Sequence, residues 1–356
     1  MPATDRRRRK DPLRLLQTQS QPAADRAARL LEYGESLSRA MHASRTLLLI
    51  ALVFPPLTAG CGPNFAAKGS GKIVIAVTIV PHGWLVQQIG GDRVEVVTMV
   101  TPGESAELYQ PTDAQITQLA GVAACFRAGM PLEESRGFRT ILAGGAIKVV
   151  DLREGIRLRE TTEHSHPEDG RDEGGGGREA PAGDGSADRH RGKDPHIWLS
   201  PRLLIIQARA VAETLAELDP THREEYSQNL AQLQKELGGL DQTIRKTLAP
   251  HQGRAFFVYH PAWGYFADEY HLRQIAVEIE GKEPSDRELT ELQRRARKEG
   301  AKVIFIQKQT AGRAAKALAE AIGGRTEVLG DLEYDVPASL LRAARLLAES
   351  YGPARK

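Results

Sequence analysis

Short β-branched runs alternate with helical stretches along most of this chain, and this alternation restricts its fold more than any other feature of the sequence. Residues 72–80, for example, form an apolar run too short for a free-standing helix, and the run is typical of a buried strand. Strands separated by helices at this spacing form parallel sheets with helices on both faces. The predicted strands cover residues 72–80, 94–100, 122–126, 147–152, 255–259, 274–278, 303–307 and 326–329.

A long helical segment divides these strands into two sets. At 356 residues with 41% hydrophobic content, the chain is too long for one average domain. Residues 221–249 carry leucines at helical spacing, and Asp219-Pro220 separates them from a preceding helix over 201–218. We therefore predict an α/β fold with two α/β lobes, each a mainly parallel sheet flanked by helices. One long connecting helix over 221–249 joins an N-terminal lobe, residues 72–220, to a C-terminal lobe, residues 250–352, and it restrains large hinge opening.

The first 71 residues are predicted to direct the chain out of the cytoplasm and to anchor it to the membrane. Arg45, an apolar run and the sequence Leu57-Thr-Ala-Gly-Cys61 follow one another as in a bacterial lipoprotein signal peptide, here residues 41–60. Cleavage there makes Cys61 the acylated N-terminus of an extracytoplasmic, lipid-anchored protein, and residues 61–71 form a tether. Residues 1–40 are predicted to be disordered, or to result from a wrongly assigned start codon, with Met41 as the true initiator.

Charge and cysteine content exclude several classes of protein. The formal net charge is +2, from 48 basic and 46 acidic residues, so no global field favours a nucleic-acid partner. With Cys61 and Cys125 alone, a disulfide framework is excluded and at most one bridge can form. Cys125 falls in a predicted strand and is expected to be a buried thiol.

Residues 160–193 interrupt the α/β pattern with Gly, Asp, Glu and Arg, and they are predicted to form a flexible loop. His164, His166 and His190 give the loop a composition that favours metal ions without defining a site. A solvated insertion is the alternative.

Three segments place histidine or carboxylate groups where strands end and helices begin, which is where open α/β folds bind ligands. His196 lies in Asp194-Pro-His-Ile-Trp-Leu-Ser-Pro201, ahead of a helix, and His260 follows a strand in Phe257-Val-Tyr-His-Pro-Ala-Trp-Gly264. A carboxylate in residues 329–335 could complete a His/His/Asp set for a metal ion. For His196 alone, a packing or capping role remains equally open.

These segments together resemble the solute-binding proteins of zinc and manganese ABC importers, and the resemblance runs from about residue 72 to residue 351. It also covers Ile89-Gly-Gly-Asp92, Thr101-Pro-Gly-Glu-Ser105 with Tyr109-Gln-Pro-Thr112, Gly129-Met-Pro-Leu-Glu133 and Glu280-Gly-Lys-Glu-Pro284. The resemblance implies that His196 and His260 are metal ligands, one from each lobe. It implies a final acidic ligand after the last strand, for which Asp331 is the best match and Asp335 the reserve.

The first lobe departs from the family pattern. Many zinc-binding members have a histidine near the position where this chain has Glu107, and carboxylate oxygen also suits Mn²⁺. His82 is an alternative donor. The implied transported ligand is therefore Zn²⁺, with Mn²⁺ as the alternative. The implied partners are an ABC permease with its ATPase, and the binding protein itself is expected to be monomeric.

Two other classes of protein compete with this interpretation. A zinc hydrolase needs a poised base and commonly a His-Glu-x-x-His helix, and the sequence has none. Two histidines and two carboxylates also fill a tetrahedral site without a position for activated water, which favours carriage over catalysis. A metal-binding surface lipoprotein acting as an adhesin is the remaining alternative.

Overall fold

A computed structural model describes residues 71–160, 192–279, 281–308 and 312–352. Every described residue belongs to one compact unit of the chain. The predicted signal peptide, Cys61, the tether up to residue 70 and nearly all of the 160–193 loop lie outside the described residues. In the described part of the chain, no helix combines the length and apolar character needed to span a membrane.

The N-terminal lobe is built on a four-stranded parallel sheet with the strand order β2-β1-β3-β4. Its strands are β1 (Ile73–Val77), β2 (Val94–Thr98), β3 (Ala124–Arg127) and β4 (Lys148–Asp151). Its helices are α1 (Val80–Gly90), α2 (Asp113–Leu119), α3 (Arg136–Ala143) and α4 (Pro201–Leu218). Ile75 pairs with Val96 on one side and Ala124 on the other, so the most apolar strand lies inside the sheet, as expected for a strand covered on both faces.

Helix α5 (Arg223–Leu248) follows and connects the lobes. Its buried side chains are Tyr226, Leu233, Leu237, Ile244 and Leu248, which recur at helical spacing. This buried face packs on α1 and α4 of the first lobe and on the last helix of the chain. The long helix predicted from the leucine spacing is therefore present.

The C-terminal lobe repeats the strand order of the first, β6-β5-β7-β8, although the two halves show no internal sequence repeat. Its strands are β5 (Ala255–Val258), β6 (Arg273–Ala276), β7 (Val303–Ile306) and β8 (Arg325–Val328). Its helices are α6 (Gly264–Glu269), α7 (Asp286–Glu299), α8 (Arg313–Ala321) and α9 (Val336–Tyr351). The predicted fold class, two parallel α/β lobes joined by one long helix, is confirmed.

One apolar core runs through both lobes. Among the described residues it includes Ile75 and Phe126 of the first sheet, Leu237 of α5, Phe256 of β5 and Leu340 of α9. A second, smaller cluster covers the opposite face of the C-terminal sheet and contains Phe257, because neighbouring residues of a strand point to opposite faces. The lobes thus share buried apolar surface besides the connecting helix.

Element boundaries and two short helices differ from the sequence prediction. Strand β1 ends at Val77 and α1 begins at Val80, because Pro81 fits the first turn of a helix and cannot donate in a sheet. The short helices α3 and α6 were not predicted, since neither is long enough to show a clear apolar period. Cys125 is a buried free thiol, as expected, and burial raises its pKa to about 12.

Candidate metal centre

Four of the predicted site residues lie in loops that follow strands of the two sheets. Glu107 lies between β2 and α2, and His196 immediately precedes the single 3-10 turn Ile197–Leu199 that leads into α4. In the C-terminal lobe, His260 comes two residues after β5 and Asp331 three residues after β8. The position of His260 follows from the β-strand Ala255–Val258, whose four residues are all buried and carry the chain to the edge of the sheet.

Glu107, His196 and His260 meet at one point, with donor atoms that all lie within 4.8 Å of one another. The Nε2 atoms of the two histidines are 3.2 Å apart. Glu107 Oε1 lies 3.3 Å from His196 Nε2 and 3.1 Å from His260 Nε2. Ligands bound about 2.0–2.1 Å from a tetrahedral zinc ion are separated by about 3.3–3.4 Å. The three donors therefore have the spacing of one face of a tetrahedral zinc site.

Both imidazoles are held by a carboxylate on the opposite ring nitrogen. Nδ1 of His196 donates to Asp194 Oδ1 at 2.8 Å, and Nδ1 of His260 donates to Glu278 Oε1 at 2.5 Å. A proton fixed on Nδ1 leaves the lone pair of Nε2 for a metal ion, and such carboxylate–histidine pairs are usual around bound zinc. Glu107 is oriented in the same way, because Ser105 Oγ donates to its Oε2 at 2.8 Å and leaves Oε1 toward the histidines.

The charges at the centre strongly favour a cation. Burial lowers the pKa of His196, but hydrogen bonds to the Asp194 and Glu107 carboxylates outweigh it and raise the pKa to about 9. Burial also lowers the pKa of His260, but hydrogen bonds to the Glu107 and Glu278 carboxylates outweigh this effect and raise the pKa to about 10. Burial favours the neutral form of Glu107, yet its bonds to the two histidines hold its pKa far below the usual range. Positive charge is therefore stabilised among these groups.

Asp331 lies beside this cluster and outside the set of mutually close donors. Its side chain is buried. Oδ2 accepts a hydrogen bond from Gln307 Nε2 at 2.7 Å, while Oδ1 has no hydrogen-bond partner among the described residues. Burial, and then the charge of Glu107, raises the pKa of Asp331, and the two histidines oppose that rise. A buried carboxylate oxygen without a partner is costly unless a cation or donor reaches it.

The two alternative donors named from the sequence lie elsewhere. Asp335 is exposed and caps helix α9, with its side chain accepting from the Ala338 backbone N–H at 3.0 Å. His82 is completely buried under Trp198, and its Nε2 donates to Gln207 Oε1 at 2.9 Å. Neither residue belongs to the cluster of donor atoms in the described part of the chain.

We expect His82 to make the metal-free protein less stable in acid. Burial lowers the pKa of His82 from 6.5 to about 4. Between these values the unfolded chain binds more protons than the folded one, so stability is complete above pH 6.5 and falls as the pH drops toward 4. Urea unfolding in a chelator should show wild type losing about 2 kcal/mol between pH 7 and pH 5 relative to His82→Gln. Equal losses in the two proteins would contradict a neutral, buried His82.

Sequence reasoning missed the outer partners of the site. The sequence motif around His196 assigns no role to Asp194, and Glu278 falls at the end of a predicted strand. Trp198 Nε1 donates a hydrogen bond to the backbone carbonyl of Asp331 at 2.6 Å. This bond joins the lobes, and no sequence pattern predicts it. The one available signal was the Asp-Pro-His spacing, which lets the Asp194 carboxylate reach both the backbone N–H and the ring of His196.

Two parallel α/β lobes with a cluster of histidine and carboxylate donors between them are typical of a metal-binding protein. A family model described as "Zinc-uptake complex component A periplasmic" (ZnuA) matches residues 75–341. The chain therefore belongs to the ZnuA family of periplasmic zinc-uptake solute-binding proteins, which are not enzymes and work with an ABC permease and its ATPase.

Individual relatives agree with the family model. The high-affinity zinc uptake system protein ZnuA of Bacillus subtilis is 28% identical over 300 residues, covering 81% of this chain and 88% of its own length. A crystal structure of ZnuA has a TM-score of 0.67 and 32% identity, covering 78% of this chain and 99% of its own. A laminin-binding adhesin from Streptococcus agalactiae, TM-score 0.64 with coverage of 78% and 99%, is only 19% identical and shares the fold alone.

Proposed function

We propose that this protein captures Zn²⁺ with Glu107, His196 and His260, receives a fourth oxygen from Asp331, and delivers the ion to an ABC importer. The observation that carries the proposal is the set of three donor atoms 3.1–3.3 Å apart, with both imidazoles held at Nδ1 by carboxylates. Glu107 and His196 come from the N-terminal lobe, and His260 and Asp331 from the C-terminal lobe. One ion bound by all four would tie the lobes together and stabilise the closed arrangement.

The fourth ligand needs only a local adjustment. Asp331 Oδ2 accepts a hydrogen bond from Gln307, whereas Oδ1 has no hydrogen-bond partner in the part of the chain that the structure describes, so a small rotation of the carboxylate can present Oδ1 to the ion. Four protein ligands complete a tetrahedral zinc site and leave no open position for a reactive water molecule. A site of this kind carries the ion and has no means of activating water.

The continuous apolar core suggests how release is achieved. Since the lobes share buried apolar surface and the connecting helix, wide opening would expose much of that surface to water. We therefore expect small movements of the loops that carry Glu107 and Asp331, rather than a large hinge rotation, when the permease takes the ion.

The remaining parts of the proposal rest on the sequence. The lobes divide at residues 72–220, 221–249 and 250–352. Residues 41–60 act as a lipoprotein signal peptide, Cys61 is acylated and residues 61–71 tether the monomeric protein to the membrane. Labelling of Cys61 with a fatty-acid analogue, lost in Cys61→Ala, tests the anchor.

The direct test of function is metal binding by the soluble form, residues 62–356. Elemental analysis after exposure to equal Zn²⁺ and Mn²⁺, followed by gel filtration, should find one zinc ion per chain and little manganese. Predominant manganese would change the cargo to that ion. If neither metal is retained, the proposed function is wrong.

Loss of the carboxylate behind His260 should weaken zinc binding without removing a ligand. Glu278→Gln keeps the size of the side chain but no longer supplies a charge at Nδ1. Outer partners of this kind change metal affinity by about 10–100-fold. Competition titration against a zinc chelator should show a decrease in that range, whereas Glu283→Gln, which alters another loop carboxylate near Tyr259, should bind like wild type. An unchanged affinity in Glu278→Gln would mean that the carboxylate does not support His260.

A further inference from the structure

A second set of contacts links His196 to the opposite lobe through Arg159. Arg159 precedes the 161–191 segment and Asp194 follows it, and the Asp194 backbone N–H donates to the Arg159 carbonyl at 3.0 Å. Oδ1 of Asp194 accepts both the backbone N–H of His196 and its ring Nδ1–H, at 3.0 and 2.8 Å. Its other oxygen, Oδ2, faces Arg159 Nε at 3.6 Å. The Asp194 carboxylate thus lies between Arg159 and the His196 ring.

The guanidinium of Arg159 is held by helix α6 of the C-terminal lobe. Its Nη1 donates to the Gly264 carbonyl at 2.9 Å and also contacts the Asp268 carboxylate. The backbone N–H of Arg159 donates to Tyr265 Oη at 3.0 Å, and that hydroxyl donates to the Asp194 carbonyl at 2.7 Å. Helix α6 begins four residues after His260. Helix α6, which follows His260, therefore supports the Asp194 carboxylate that orients His196.

The backbone at the start of α6 leaves room for this pair of charges. A Cβ atom at Gly264 would lie 2.8 Å from Arg159 Nε and 2.9 Å from Asp194 Oδ2. Both distances are too short for a carbon atom, so any larger residue must displace Arg159 or Asp194. Asp194 is 6% exposed, so the contact between its carboxylate and the Arg159 guanidinium is only weakly screened by water.

We propose that Arg159 is a positioning residue: held by α6 of the C-terminal lobe, it fixes the Asp194 carboxylate and, through it, the orientation of His196. The inference rests on the proposed role of His196 as a zinc ligand. It adds that His196, a ligand from the N-terminal lobe, is oriented by contacts that exist only when the C-terminal lobe is packed against it. Zinc binding and the packing of the two lobes against each other are therefore coupled through the Arg159 side chain as well as through the ion.

The test is a double-mutant cycle on the soluble chain, residues 62–356, read by Zn²⁺ affinity and by the rate of zinc release to a chelator. Arg159→Met should lower affinity about 10-fold, the lower end of the range for outer partners, and accelerate release. In an Asp194→Asn background the same change should have little further effect, because residues that act through each other are not additive. Arg159→Lys, which keeps the charge and loses the planar fork, should restore part of the loss.

Two matched controls separate positioning from general destabilisation. Arg294→Met removes an exposed arginine on α7, and Gly239→Ala adds a methyl group with no atom of the described residues within 4 Å. Both should bind zinc like wild type, whereas Gly264→Ala should behave like Arg159→Met. The absorption spectrum of Co²⁺-loaded protein provides a further readout, since a displaced His196 alters the ligand geometry and a purely structural change does not.

The outcomes distinguish the two proposals. If wild type binds no zinc, the proposed function is wrong. Suppose instead that wild type binds zinc, and that Arg159→Met lowers Zn²⁺ affinity by the same factor in the wild-type background and in the Asp194→Asn background. Arg159 then does not act through Asp194, and the inference is wrong. An unchanged Co²⁺ spectrum and affinity in Gly264→Ala would also overturn it.

Discussion

His260→Ala and His196→Ala should each lower the Zn²⁺ affinity of the soluble chain by more than about 100-fold, beyond the loss expected for an outer partner. Each histidine supplies one of three donor atoms that are spaced like three corners of a tetrahedron around a zinc ion, and alanine offers no replacement atom. After these changes the buried Asp194 and the partly buried Glu278 lose the imidazoles to which they are hydrogen-bonded. Calorimetric titration with a competing chelator measures both affinities and the number of ions bound.

His222→Ala is a matched control for these variants. His222 also pairs with a carboxylate, with Nδ1 2.6 Å from Asp219 Oδ2, but it lies at the start of the connecting helix, away from the cluster of donors. The His222→Ala variant should therefore have the same Zn²⁺ affinity as wild type. Retention of tight binding by either His196→Ala or His260→Ala, with one zinc ion still bound per chain, would show that the ion is held elsewhere.

The architecture could be predicted from sequence because local rules determine most of it. Runs such as residues 303–307 are β-branched, short and bounded by helical segments, and parallel strands separated by helices allow few arrangements. The leucine spacing of the connecting helix is an equally local signal, and it continues over seven turns. The rule that ligands bind at the carboxyl ends of parallel strands then directs attention to His260 and Asp331.

The rest of the site depends on contacts between residues far apart in sequence. No pattern distinguishes Glu107 from His82 as a donor; the two differ because α1 carries His82 into the core beside Gln207, 125 positions away. The bond between Trp198 and Asp331 spans 133 positions, and that between Arg159 and Gly264 spans 105. Such contacts arise only when both lobes have packed, so periodicity and spacing contain no information about them.

Replacement of Glu107 should separate its charge from its role as a ligand. Glu107→Gln keeps an oxygen atom in the same place but leaves two imidazole nitrogens 3.2 Å apart without the carboxylate that stabilises positive charge there. We expect Zn²⁺ affinity to fall by about 100-fold or more, because the change reaches a direct donor rather than an outer partner. Loss of the carboxylate should also lower the pKa of His196 and His260 in the metal-free protein, which NMR titration of the ring protons measures.

Glu107→His tests whether the carboxylate broadens the choice of metal. A third imidazole suits zinc, while an oxygen donor also accommodates manganese. This variant should bind Zn²⁺ within about 10-fold of wild type and discriminate more strongly against Mn²⁺ in a direct competition between the two ions. Glu104→Gln, in the same loop and outside the donor cluster, should leave both affinities unchanged. If Glu107→Gln binds zinc as tightly as wild type, Glu107 is not a ligand, and the ion must be held by the two histidines and Asp331 alone.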